Sequence, residues 1–127
     1  MIKQPTSSEL EILNVLWEKK TATVREVFEV ISATKSVTYT TVLKLMQIMT
    51  EKGLVKRDEE GKAHLYRAAI LQNETQKGLV SDLLEKVFRG SAIQLVQHLL
   101  ENKKTSPEEM KEIRRMIDKA EKEAKNE

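Results

Sequence analysis

Thr38-Tyr39-Thr40-Thr41-Val42-Leu43-Lys44-Leu45-Met46-Gln47-Ile48-Met49 is the stretch from which the rest of the chain can be read. At about 100° per residue, Thr40, Lys44, Gln47 and Glu51 fall on one polar ridge. Val42, Leu45, Met46 and Met49 fill the opposite side. The stretch is therefore an amphipathic helix. Its ridge carries a hydroxyl, a long cation and an amide, side chains that can reach base edges from a groove of duplex DNA. Gly53 ends the helix, and Lys52, Lys56 and Arg57 lie around that end. These features are those of a recognition helix, with the remaining segments holding it and doubling it.

Upstream, Thr6 and Ser8 are each followed three residues on by Glu (Glu9, Glu11), the capping-box pattern. A first helix is expected over 8–19, with Leu10, Leu13, Val15, Leu16 and Trp17 on a broad buried face. Trp17, the only tryptophan, reads as core. Lys19 to Ala22 is a short polar break, and Thr23 with Glu26 makes another capping box. A second helix over 24–33 buries Val27, Phe28 and Ile31; Thr38 then caps the third. Three short helices in about 45 residues, the third with a polar ridge, match helix-turn-helix geometry.

Beyond Gly53 the pattern changes to strand. Residues 54–59 and 63–68 form two candidate strands joined by a Glu60-Gly61 turn, which makes a basic hairpin, or wing. The tip, Asp58-Glu59-Glu60-Gly61-Lys62, carries three acids that repel phosphate. Lys62 and Arg57 are thus the wing residues left to touch a nucleic-acid backbone, and the wing should contribute less than the helix.

Residues 71–127 return to helical periodicity. Helices are expected over 73–88 (Leu79, Val80, Leu83, Leu84, Val87), over 92–100 (Ile93, Leu95, Val96, Leu99, Leu100) and from Pro107 to about Lys125. Ser106 caps the last, Pro107 suits its first position, and Glu109 closes the box. Met110, Ile113, Met116, Ile117, Ala120 and Ala124 are expected to face inward. Three such helices in about 55 residues make only a thin core. Burying their apolar faces against a second copy gives a two-fold dimer, with Leu79, Leu83, Val87, Val96, Leu99, Leu100, Ile113 and Ile117 at the interface. The alternative is a monomer whose tail folds back on the winged domain. The expected fold class is mostly α: a winged helix-turn-helix domain with a small β-hairpin wing (1–70), plus a three-helix C-terminal dimerisation domain (71–127).

Charge distribution agrees with this division. The chain has 127 residues and a net charge of +2. From Lys35 to Arg57 there are five basic residues (Lys35, Lys44, Lys52, Lys56, Arg57) against one acid, Glu51. From Leu71 onward there are 11 of each sign. The positive excess sits where phosphate would be met, although a solvated basic face without a ligand has the same composition. With no cysteine there is no disulfide framework, no thiolate zinc site and no thiol nucleophile. His64 and His98 lie in different modules without metal-ligand spacing, and the four glycines form no phosphate-binding loop. No cofactor and no metal are expected, and no enzymatic activity. The absence of a signal peptide or an apolar run of about 18 residues makes a cytoplasmic protein the expectation, with no membrane insertion.

Tyr39-Thr40-Thr41-Val42-Leu43, then Glu51-Lys52-Gly53-Leu54-Val55-Lys56-Arg57, then Gly61-Lys62-Ala63-His64-Leu65-Tyr66-Arg67-Ala68 resemble the BlaI/MecI/CopY family of bacterial repressors, the penicillinase-repressor family. Glu9-Leu10-Glu11-Ile12-Leu13 through Leu16-Trp17 is similar to that family's first helix. The resemblance covers nearly the whole chain. It implies a winged-helix domain, a helical dimerisation domain, and homodimeric repression at a palindromic double-stranded DNA operator. The copper-responsive branch carries a cysteine-rich motif that this chain lacks. In the penicillinase-repressor branch, a membrane metalloprotease sensor system triggers cleavage of the dimerisation region at an Asn-Phe bond. The corresponding place here is His98-Leu99, so the resemblance makes that pair the candidate cleavage site without preserving its residues.

The roles follow. Helix 38–51 enters the major groove, with Thr40, Lys44 and Gln47 toward base edges. Thr38, Tyr39 and Thr41 at its start suit phosphate; for Tyr39, packing against the second helix is the alternative. Arg57 and Lys62, with Arg25 and Lys35, track the backbone. Glu51 lies a turn too deep and points away from the groove. Two rival classes are a winged helix used for protein–protein contact, which would not bind with a steep salt dependence, and a hydrolase, which would need a pocket of convergent polar groups.

Overall fold

The structure, a computed structural model, describes residues 4–60, 63–102 and 105–126. Its elements run in the order α1 (Ser7–Lys19), α2 (Val24–Ser32), α3 (Tyr39–Lys52), β1 (Val55–Glu60), β2 (Ala63–Ala68), α4 (Gln72–Lys86), α5 (Ala92–Asn102) and α6 (Pro107–Lys125). It is mostly helical, with a winged helix at its N-terminal end, as the periodicity predicts. Compactness divides the chain between Ser81 and Asp82, inside α4.

The helix starts are set by side-chain caps. Thr6 and Thr23 each accept from the amide three residues on, while Glu9 and Glu26 reach back to the cap amides. These reciprocal pairs satisfy donors that the first turn leaves open. Thr6, rather than Ser8, is the cap of α1. Thr38 Oγ1 accepts from the Thr41 amide at 3.2 Å and starts α3. Ser106 does the same for α6, with Pro107 at its first position. Gly53 closes α3 at φ 81°, a left-handed conformation that costs a side-chain-bearing residue energy. Its amide bonds to Thr50 O at 3.2 Å and the Leu54 amide to Met49 O at 2.9 Å. Two carbonyls of the last turn, those of Met49 and Thr50, are thereby satisfied, and Leu54 and Met49 are buried.

One apolar core joins the first three helices to the hairpin. Ile12, Leu13 and Leu16 of α1, Val27 of α2, and Val42, Met46 and Met49 of α3 are buried with Leu54, Val55 and Tyr66. The strands pair antiparallel in a register from Val55↔Ala68 to Glu60↔Ala63. A third, one-residue strand joins them. Ala22 N–H donates to Tyr66 O at 3.0 Å and Tyr66 N–H to Ala22 O at 2.8 Å. The break at 19–22 is therefore a sheet anchor, and it holds the wing against the start of α2. Trp17 packs against the core as expected, and its Nε1–H donates to Ile70 O at 3.0 Å.

Glu9 is the one buried charged residue among those described, 1% exposed. Besides its capping role it accepts from Lys52 Nζ at 2.8 Å, across 43 residues of sequence. The pair ties the start of α1 to the end of α3. Burial pushes the Glu9 carboxyl up, but the Lys52 hydrogen bond, the Thr6 amide and the Lys52 charge together hold it below its ordinary value.

The second unit differs in kind. No residue of α5 or α6 is buried. Leu83, Val87, Ile93, Val96, Leu99, Leu100, Met116 and Ile117 are all exposed in the single chain. The inward orientation expected for Met116 and Ile117 is not realised within one chain. Phe88 and His98 meet with ring centroids 5.6 Å apart. Arg89 and Gly90 take positive φ between α4 and α5, and Gly90 N–H reaches Leu84 O at 2.9 Å.

Candidate nucleic-acid interface

The polar ridge of α3 is present and outward. Thr40, Lys44, Gln47 and Glu51 are exposed, while Val42, Met46 and Met49 lock the opposite side into the core. A helix fastened on one face by fully buried side chains presents its other face rigidly, a requirement for reading base edges. Lys44 makes no ion pair among the described residues, so its charge is directed at solvent.

The other cations sort themselves by partner. Lys52, counted from sequence as part of the basic stretch, is engaged with Glu9. Lys35 reaches Glu11 at 3.0 Å, with both side chains about half exposed. On the wing, Arg67 Nε pairs with Asp58 Oδ2 at 3.1 Å, which neutralises one of the three tip acids. The basic excess around α3 is thus smaller than the residue count implies, and among the described residues Lys44, Lys56 and Arg25 form no ion pair. Lys62 lies outside the described residues.

Hydroxyls at the start of α3 are partly committed. Thr38 Oγ1 caps the helix and lies 2.9 Å from Thr41 Oγ1. Tyr39 takes the packing position against α2: its ring meets Phe28 edge-on at 5.8 Å and 75°. The Arg25 guanidinium lies over the same ring, 5.4 Å from its centroid. Tyr39 stays 40% exposed, so the contact with Phe28 does not bury it. Arg25, Tyr39, Gln47, Arg57, His64 and Tyr66 line one open groove between the start of α2, the outer face of α3 and the wing. The sequence gives Arg25 and Arg57 a shared backbone-tracking role, but not that they line one groove with Tyr39 and Gln47, because they come from different elements. Glu26, next to Arg25, is held below the usual carboxylate range first by the Thr23 amide, with Lys19 adding a smaller effect in the same direction.

Residues 5–119 match the family model described as penicillinase repressor. The chain belongs to the penicillinase repressor family. Among relatives of this penicillinase repressor family member, the methicillin resistance regulatory protein MecI of Staphylococcus aureus (strain N315) is 25% identical over 114 residues, covering 90% of this chain and 93% of that protein. The penicillinase repressor of Bacillus licheniformis is 24% identical over 117 residues, covering 92% and 91%. Transcriptional regulator BlaI of Mycobacterium tuberculosis (strain CDC 1551 / Oshkosh) is 32% identical over 95 residues, covering 73% and 69%. Among solved structures, the monomeric form of Bacillus licheniformis BlaI in complex with the blaP half-operator superposes with a TM-score of 0.52 at 24% identity, over 58% of this chain and 90% of that one. That likeness confirms the winged-helix fold of the N-terminal part. Among the described residues no helix is long and apolar enough to cross a membrane. Among the same residues no group of three or more His, Asp or Glu is placed to hold a metal ion.

Proposed function

We propose that this chain is a dimeric, sequence-specific transcriptional repressor that binds a palindromic operator. The single observation behind this reading is the ridge of Thr40, Lys44 and Gln47, exposed on a helix whose other face is fixed in the core. The relatives' names as repressors, and the half-operator complex of one of them, support it. Residues 1–70 serve as the DNA-binding domain and 71–127 as the dimerisation domain. Thr40, Lys44 and Gln47 read bases in the major groove; Thr41, the amides of the first turn of α3, Arg57 and Lys62 hold phosphate.

The dimer is formed by Leu79, Leu83, Val87, Val96, Leu99, Leu100, Ile113 and Ile117. Six of these are exposed large apolar side chains, on α4, α5 and α6 and, for Val87, directly after α4. A monomer leaving such faces in water is unfavourable, and a second copy covers them. Repression ends when the dimerisation domain is cut at His98-Leu99 by a membrane metalloprotease sensor system. That pair lies inside α5, so the helix must unwind locally before a protease can take it in extended form. Losing the second half-site contact then lowers affinity through lost avidity. The protein works in the cytoplasm and needs no cofactor.

A gel shift of the full chain against its own upstream DNA, at two salt concentrations, tests the reading. A shifted band that weakens steeply with salt supports it. A winged helix used for protein contact would leave the DNA unshifted at both concentrations.

A further inference from the structure

We infer that Tyr39 serves DNA binding through its ring rather than its hydroxyl, by positioning Arg25 as a phosphate contact. The inference rests on the DNA-binding reading above. Arg25 sits in the first turn of α2, where the helix dipole disfavours a cation. It is exposed and forms no ion pair among the described residues, so helix stability does not account for it there. Its guanidinium lies 5.4 Å from the centroid of Tyr39, within the range of an attractive cation–π contact. Tyr39 is itself oriented by Phe28, which meets it edge-on at 5.8 Å.

Phe28, Tyr39 and Arg25 therefore form a stack rooted in the core at one end and open to solvent at the other. Phe28 packs against buried residues, Tyr39 is half-exposed, and Arg25 is exposed. A long side chain loses rotamer entropy when it grips a ligand. The stack limits that loss by holding the guanidinium beforehand. The groove carrying Arg25 also carries Arg57 from the wing and Gln47 from the reading ridge. Two guanidinium groups from separate elements thus flank the outer face of α3. This spacing suits the sugar–phosphate strand beside a base-reading helix, because phosphate contacts fix register while the ridge reads sequence. Tyr39 is then a positioning residue, and Arg25 the group that touches DNA.

The test uses the full chain and two duplexes, one of its own upstream region and one of scrambled sequence, titrated at several salt concentrations. Arg25→Ala should weaken both duplexes alike, by roughly tenfold, and lower the salt slope by about one. Tyr39→Leu should cause a comparable loss of affinity although it changes no charge. Tyr39→Phe, which keeps the ring and drops the hydroxyl, should bind within about twofold of the unaltered chain. Combining Arg25→Ala with Tyr39→Leu should be no worse than either alone, since the two act as one unit. The inference is overturned if Tyr39→Phe loses as much as Tyr39→Leu, because the phenol would then be the contact. It is equally overturned if the two losses add, or if Arg25→Ala leaves the salt slope unchanged. Should Tyr39→Leu fail to fold, as judged by its thermal melt, Tyr39→Phe and Arg25→Ala alone still decide. Failure of the unaltered chain to bind either duplex defeats the DNA-binding reading itself, and is distinguishable because no variant is then involved.

Discussion

At the residue scale, Lys44 and Glu9 are opposites. Lys44 was legible from the sequence: its place follows from a 3.6-residue period and four apolar neighbours, and it is exposed as that period requires. Lys44→Ala should cost about 1–3 kcal/mol of operator binding and relax preference at one base position, as a titration against point-varied duplexes will read. Lys62→Ala should instead weaken all sequences alike and flatten the salt slope by about one. Glu9 was legible only as half of a capping box. Its bond to Lys52 spans 43 residues, and no local pattern encodes such a contact. The same bond removed Lys52 from the phosphate-facing set to which simple charge counting assigned it. Because the Glu9 carboxyl is held below its unfolded value of 4.5, its stabilising effect is complete above about pH 4.5. That effect is lost as the pH falls through the lower, folded-state value. Thermal melts from about pH 6 down to pH 3 should show the unaltered chain losing stability more steeply than Glu9→Gln, which has no carboxylate to protonate.

At the scale of elements, the caps and turns explain why the helices were placed within a residue or two of where they lie. Thr23, Thr38 and Ser106 are caps that a reader can identify, because the chemistry is local to three residues. Gly53 is the strongest of these signals. A Cβ there would meet nothing within 4 Å, so the cost of Gly53→Ala comes from the left-handed backbone alone. About 1–2 kcal/mol of stability should be lost in a denaturation experiment, with operator affinity preserved well below the melting temperature. The Ala22 bridge was not legible, since one residue carries no alternation. It nevertheless couples the wing to α2, and so helps bring Arg25 and Arg57 to the same groove. The three acids of the wing tip repel phosphate. Arg67 offsets part of that through Asp58, a diagonal cross-strand pair visible only once the register is known.

For the whole molecule, the contrast between the two units matters most. The winged unit buries a continuous core, whereas α5 and α6 bury no residue. Periodicity showed the apolar stripes of the tail but not their partner, because a stripe facing its own chain and one facing a copy look alike in sequence. Association through those stripes should make sedimentation depend on concentration. Leu83→Glu together with Leu99→Glu should shift the chain to monomer and reduce operator affinity without altering the winged domain's melt. A chain that remains monomeric at micromolar concentration would contradict the dimer.

The most direct measurement is a binding titration of the full chain against its own upstream duplex across a range of salt concentrations. The logarithm of the affinity should fall linearly with the logarithm of salt, by about 0.9 for each phosphate neutralised, and Lys44→Ala should lose preference at one base position in each half-site. Binding that is absent, or that neither depends on salt nor changes with Lys44→Ala, would contradict the assignment of α3 as a DNA-reading helix.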